Sequence, residues 1–266
     1  MACALGFAAP AWSHDFWIAP DRFVSAPNEP VVVTLSMGHP NDVLAWPVSP
    51  ERAVSLTAVG PDGVIDLQQV VASAMPGARL RLPALPEGHY IVAMTSTQAR
   101  SELPADSFRS YLDEEGLSPI RDHRAMTGRD GEPGRELYSR RGKALITIGT
   151  PNAVPGALLS PIGQTLEIVP ENGFFDTRAP DGLSARIRYL GQPADGVQAR
   201  LVRIDHKAAT AELGAVEVKV SADQGRIHFT RPAPGAYTIQ AVWSSPARLP
   251  NADYATVFSS FSFRVN

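Results

Sequence analysis

Val197-Gln198-Ala199-Arg200-Leu201-Val202-Arg203-Ile204 decides the fold. Apolar Ala199, Leu201 and Val202 flank the charged Arg200 and Arg203, the alternation of a strand with one face turned inward. Gln164–Val169, Ala185–Leu190, Val216–Val220, Arg226–Thr230 and Ala236–Trp243 have the same character and recur at regular intervals. Pro232-Ala233-Pro234-Gly235 reads as a turn into the last of these. The chain closes on Thr256–Val265, where Val257, Phe261 and Phe263 are the expected core residues. Short strands at this spacing predict a small β-sandwich of the immunoglobulin-like or prealbumin-like kind over residues 164–266.

The first half follows the same logic. Val31–Ser36, Ala53–Val59, Arg79–Leu85 and Tyr90–Thr95 are short and apolar, and turn clusters such as Gly60-Pro61-Asp62-Gly63 and Pro86-Glu87-Gly88 separate them. They predict a second sandwich over residues 14–150. One segment breaks the pattern. Phe108, Tyr111 and Leu112 fall at i, i+3, i+4, which predicts a helical insert over about residues 104–126 that covers the sandwich. Asp106 is the expected N-cap and Gly116 the expected stop of its first helix. Lys143–Gly149 returns to strand character, and Thr150–Gly163, with three prolines and two glycines, is the expected boundary. The predicted class is therefore all-β, with two tandem sandwiches.

The 24 prolines and 21 glycines are dispersed, and the net charge of −3 gives no reason to expect nucleic acid or an anionic membrane as partner. Cys3 is the only cysteine. It lies in an uncharged, Ala-rich opening, residues 1–13, that reads as an export signal without the usual basic start; Ala11 and Ser13 suit a small-residue cleavage site. Cleavage after Ser13 leaves a chain without cysteine, which excludes disulfides and thiolate metal sites. That opening is shorter than the roughly 20 apolar residues of a membrane span, and no comparable segment follows. The expected location is periplasmic.

Such cleavage makes His14 the amino terminus, where an amine and an imidazole offer two nitrogens to a copper, nickel, cobalt or zinc ion. His39, in the loop sequence Gly38-His39-Pro40-Asn41-Asp42, is the candidate third donor. Amine and imidazole protonate at about 8 and 6.5, so affinity is expected to fall as pH drops through that window. His123 sits between Arg121 and Arg124, which repel a cation. His89 reads as an edge residue, and His206 and His228 as surface residues. Asp15 is a candidate second-layer acceptor or turn acceptor, and Phe16 and Trp17 are expected to pack in the core. No nucleophile elbow, phosphate loop or spaced carboxylate pair suggests an enzyme.

His14-Asp15-Phe16-Trp17-Ile18, Gly38-His39, Tyr111-Leu112-Asp113-Glu114-Glu115-Gly116-Leu117, Arg135-Glu136-Leu137-Tyr138-Ser139-Arg140 and Leu166-Glu167-Ile168-Val169-Pro170 stand in this order along the chain. In that order they resemble the bacterial exported family called domain of unknown function 4198. The resemblance implies a periplasmic component of cobalt or nickel uptake, with a metal transporter or outer-membrane receptor as partner. It also implies a histidine after Ala241-Val242, where this chain has Trp243. The alternatives are an envelope binding or assembly module without metal, for carbohydrate or a receptor, and a copper-dependent oxidative enzyme.

Overall fold

Tyr90, Val92 and Met94 point to one side of a strand, Ile91 and Ala93 point to the other, and both sets are buried. A strand apolar on both faces belongs in the middle of a layered structure. In the computed structural model, which describes residues 15–39, 42–150, 156–171, 173–175, 182–204 and 215–266, this strand lies inside a ten-stranded sheet.

The first half runs β1 (Phe16–Pro20), β2 (Val24–Ser25), β3 (Val32–His39), β4 (Asp42–Ala45), β5 (Ala53–Gly60), β6 (Gly63–Asp66), α1 (Gln68–Ala72), β7 (Arg79–Arg81), β8 (Gly88–Ser96), β9 (Ala99–Leu103), α2 (Ala105–Glu114), α3 (Ser118–Met126) and β10 (Gly134–Ile148). A 3₁₀ turn, Gly156–Leu159, leads to the second half. There follow β11 (Leu166–Pro170), β12 (Leu183–Tyr189), β13 (Gln192–Pro193), β14 (Gln198–Ile204), β15 (Ala215–Val220), β16 (Arg226–Phe229), β17 (Gly235–Leu249) and β18 (Ala252–Val265).

The central sheet has the order β15-β14-β17-β18-β10-β8-β5-β6, with β2 and β9 also paired to β10. Its two halves join where β10 runs parallel to β18, from Glu136 opposite Tyr254 to Ala144 opposite Ser262. All the other ladders but that of β2 are antiparallel. A four-stranded sheet of β1, β3, β4 and β7 covers one face, where Phe16, Ile18 and Leu35 meet Val92, Met94 and Ile146. A second, of β11, β12, β13 and β16, covers the opposite face, where Ile168, Ile187 and Phe229 meet Leu145, Leu201 and Phe261. The protein is thus all-β and built from sandwiches, as its strand pattern predicts, and the two share their inner sheet.

Val257, Phe261 and Phe263 are core residues as expected. The helical insert is present, and Phe108, Tyr111, Leu112 and Ile120 cover Tyr138, Tyr254 and Phe258. Pro104, not Asp106, holds the N-cap of α2; Asp106 lies in its first turn. Gly116, at φ +67°, ends α2 in the expected place. Its N–H donates to Asp113 O at 3.3 Å and the Leu117 N–H to Leu112 O at 2.8 Å, the Schellman closure that favours glycine. Strand β10 begins nine residues earlier than the Lys143 start expected from sequence. Gly142 in its middle lets β1 cross closely: a Cβ there would stand 2.7 Å from Phe16 Cε1.

The chain between the halves is bolted down at its end. The N–H groups of Ile162, Gly163 and Gln164 donate to the Glu167 carboxylate at 2.8, 3.0 and 3.1 Å. Lys143 Nζ donates to the same carboxylate at 2.8 Å, and the two side chains are only 3% and 2% exposed. Burial holds the Lys143 ammonium below its ordinary pKa, against the pull of Glu167. Removing one partner of a buried pair strands a charge at a cost of about 3–5 kcal/mol, whereas replacing both with apolar groups is often neutral. Lys143→Met is expected to lose that amount in denaturant unfolding, and Lys143→Met/Glu167→Leu to lose less, the stranded Glu167 charge being gone while three N–H groups lose their acceptor.

Candidate functional site

Strand β1 is buried on both faces. Phe16 and Ile18 enter the core beneath the first outer sheet, and Trp17 and Ala19 pack with Val202 and Ile204 of β14. An acid that opens such a strand needs a cationic partner. Asp15 has one in Arg200, whose Nη1 donates to Asp15 Oδ2 at 2.9 Å. The same Nη1 donates to Glu115 Oε2 at 2.9 Å, and Nη2 donates to the Glu114 carbonyl. The side chains of Asp15, Glu115 and Arg200 are 5%, 0% and 15% exposed.

Three elements meet in this cluster. The glycine closure of α2 sets Glu115 at the helix C-cap, where a cation is also favoured by the helix dipole. Strand β14 supplies Arg200, and β1 supplies Asp15. Two carboxylates share one guanidinium. Burial, and next the charge of Asp15, push the Glu115 carboxyl up to about 8 despite Arg200.

The cluster holds the chain beside the expected metal ligands. The Gly38 N–H donates to the Asp15 carbonyl at 3.0 Å, and the ladder continues with Phe16 opposite Met37. His39 ends β3, with its backbone opposite Asp42. The sequence neighbours of His14 and His39 are therefore bonded to each other. His14 itself, like His206, lies outside the described residues. Asp15 is not a turn acceptor: it is spent on Arg200. Phe16 and Trp17 pack in the core as expected, each 1% exposed.

The other described histidines each have a neighbouring side chain as partner. His123 meets the Tyr254 ring edge-on at 6.1 Å. His89 is not at an edge: it is buried in β8, with Nδ1 3.0 Å from Thr147 Oγ1. His228 lies 2.9 Å from Ser184 Oγ on an exposed face. Trp243 stacks on Tyr189 at 5.1 Å. Among the described residues, no group of three or more His, Asp, Glu or Cys side chains could hold a metal ion, and no helix is long and apolar enough to cross a membrane.

Sequence reasoning missed Arg200 and Glu115. Alternation assigns Arg200 to solvent, and the cover supplied by β1 and the end of α2 buries it. The available signal was Asp15 itself, an acid fused to an apolar run.

Arg200→Gln removes the one cation shared by two buried carboxylates and is expected to cost about 3–5 kcal/mol in denaturant unfolding. The Glu115 carboxyl binds its proton more tightly folded, at about 8, than at its ordinary 4.5. Its contribution to stability is then complete below about 4.5 and lost as pH rises through about 8. Glu115→Gln is expected to flatten the fall of the unfolding midpoint across that window.

No curated protein matches the chain. The solved N-terminal four immunoglobulin domains of Dscam1 isoform 6.44 align at 8% identity over 93% of this chain and 51% of that one, with a TM-score of 0.18. The chain thus spans about half the length of that structure. The family model described as domain of unknown function (DUF4198) matches residues 11–245. The match takes in the first sandwich, the helical insert and most of the second half, so the chain belongs to the DUF4198 family.

Proposed function

We propose that the protein captures a transition metal ion, nickel, cobalt or copper, in the periplasm, with nitrogen donors from a processed His14 and from His39. The hydrogen bond from Gly38 to the Asp15 carbonyl carries this reading. It joins the residues next to both histidines at one end of the β1–β3 ladder.

The donor set suits the ions named. Amine and imidazole nitrogens favour borderline metals. Asp15 is taken by Arg200, so the set stays nitrogen-rich and neutral. Arg200 has a positioning part: it fixes Asp15, the residue that follows His14 in sequence, and a fixed anchor lowers the ordering cost of capture. Capture in this account involves no bond breaking, and release follows protonation of the nitrogens.

Titration of the processed protein with Cu²⁺, Ni²⁺ and Co²⁺ tests the reading. At least one ion is expected to bind with low-micromolar affinity or better, about −8 kcal/mol. His39→Ala is expected to weaken binding by more than the about 10- to 100-fold typical of losing an outer hydrogen-bond partner. Binding that survives His14→Ala unchanged contradicts the proposal.

A further inference from the structure

The outer sheets cover opposite faces at opposite ends of the central sheet. Part of the face shared by β5 and β8 is consequently left without an outer sheet, and a cleft of about 580 Å³ opens there between the two halves. The junction segment, from Pro161 to Thr165, forms its far wall. That volume falls within the roughly 300–1,000 Å³ of small-molecule sites, which favour such junctions.

The lining is chemically specific. Ser55 stands opposite Thr95 on the β5–β8 ladder and Thr57 opposite Ala93, so three hydroxyls gather on one face of the pleat. All three are partly exposed, and among the described residues none is engaged by another protein group. Ser55 and Thr57 are two residues apart on one strand, about 7 Å, comparable to the breadth of a pyranose ring. Val59 and Ile162 supply apolar surface beside them, as the C–H face of a sugar requires.

Arg141 supplies the charge. It lies on β10 and lines the cleft, and its guanidinium reaches Thr165 of the far wall. Nη1 donates to Arg140 O at 2.8 Å and to Ser96 O at 3.4 Å, and Nη2 to Thr165 Oγ1 at 3.3 Å. These partners orient the group and leave its charge uncompensated: among the described residues no carboxylate pairs with it. A half-buried guanidinium held by neutral acceptors is prepared for a carboxylate, which it can meet in bidentate fashion. No second cation lines the cleft, which fits a singly charged carboxylate better than a phosphate.

We propose that this cleft binds a hydroxylated carboxylate of the sugar-acid class, with Arg141 on the carboxylate and Ser55, Thr57 and Thr95 on the hydroxyls. The site is independent of the amino-terminal histidines. A free sugar acid and an acidic residue of a glycan share this chemistry.

Calorimetric titration of chelator-treated protein with D-galacturonate, D-galactose and trigalacturonate tests the assignment. D-galacturonate is expected to bind with Kd below about 1 mM and D-galactose at least about tenfold more weakly. Arg141→Gln is expected to erase that difference. Thr57→Val, which keeps the strand's shape and β-branching, is expected to weaken galacturonate severalfold in a protein with unchanged unfolding behaviour, so the test survives if the arginine variant does not fold. Tighter binding of the trimer assigns a glycan, and equal binding the free acid. Equal affinity for galactose and galacturonate, no binding of galacturonate, or affinity unmoved in both variants overturns the proposal.

Discussion

The parallel ladder between β10 and β18 sets the architecture. It joins residues 136–144 to residues 254–262 across more than a hundred positions of chain, a pairing with a large loop-closure cost. Parallel pairing demands cover on both faces. Here the cover comes from the two outer sheets and the helical insert, each drawn from a different stretch of sequence. Once the ladder exists, β1 must cross β10 over Gly142, which brings the amino-terminal end of the fold against β14. The offset of the outer sheets, and hence the cleft at Arg141, is a further consequence of the same constraint.

Charge pairs fasten the places where elements from distant sequence meet. Lys143 and Glu167 tie the central sheet to the junction. Arg200 ties β14 to β1 and to the end of α2. Asp253, at the start of β18, accepts from Arg135 at 2.8 and 3.0 Å and from Arg129 at 3.0 Å, and these arginines hold its carboxyl at about 2. Buried or half-buried pairs contribute little net stability over apolar replacements. Their geometry instead penalises a shifted strand, because a slip strands the charges.

The strands of the second half were legible in the sequence because alternation is local: Val197–Ile204 reads as a strand whatever lies beside it. The helical insert was legible for the same reason, through Phe108, Tyr111 and Leu112. The start of β10 was hidden because Arg135, Glu136, Arg140 and Arg141 look like a solvated segment, and only the layers around them make that stretch a central strand. His89 was misjudged because the turn before it resembles an edge, whereas β8 is flanked by β5 and β10. Of the candidate site, Asp15 stood out in the sequence as an acid fused to an apolar run. The Arg200 and Glu115 partners did not, since their burial depends on contacts between residues 85 and 185 positions apart.

The metal reading depends on a free α-amine at His14, the residue before Asp15, whose carbonyl accepts from the Gly38 N–H of β3. Amino-terminal sequencing of the exported protein measures this directly. The account predicts His14 as the first residue. Any other first residue removes the second nitrogen of the pair and contradicts it.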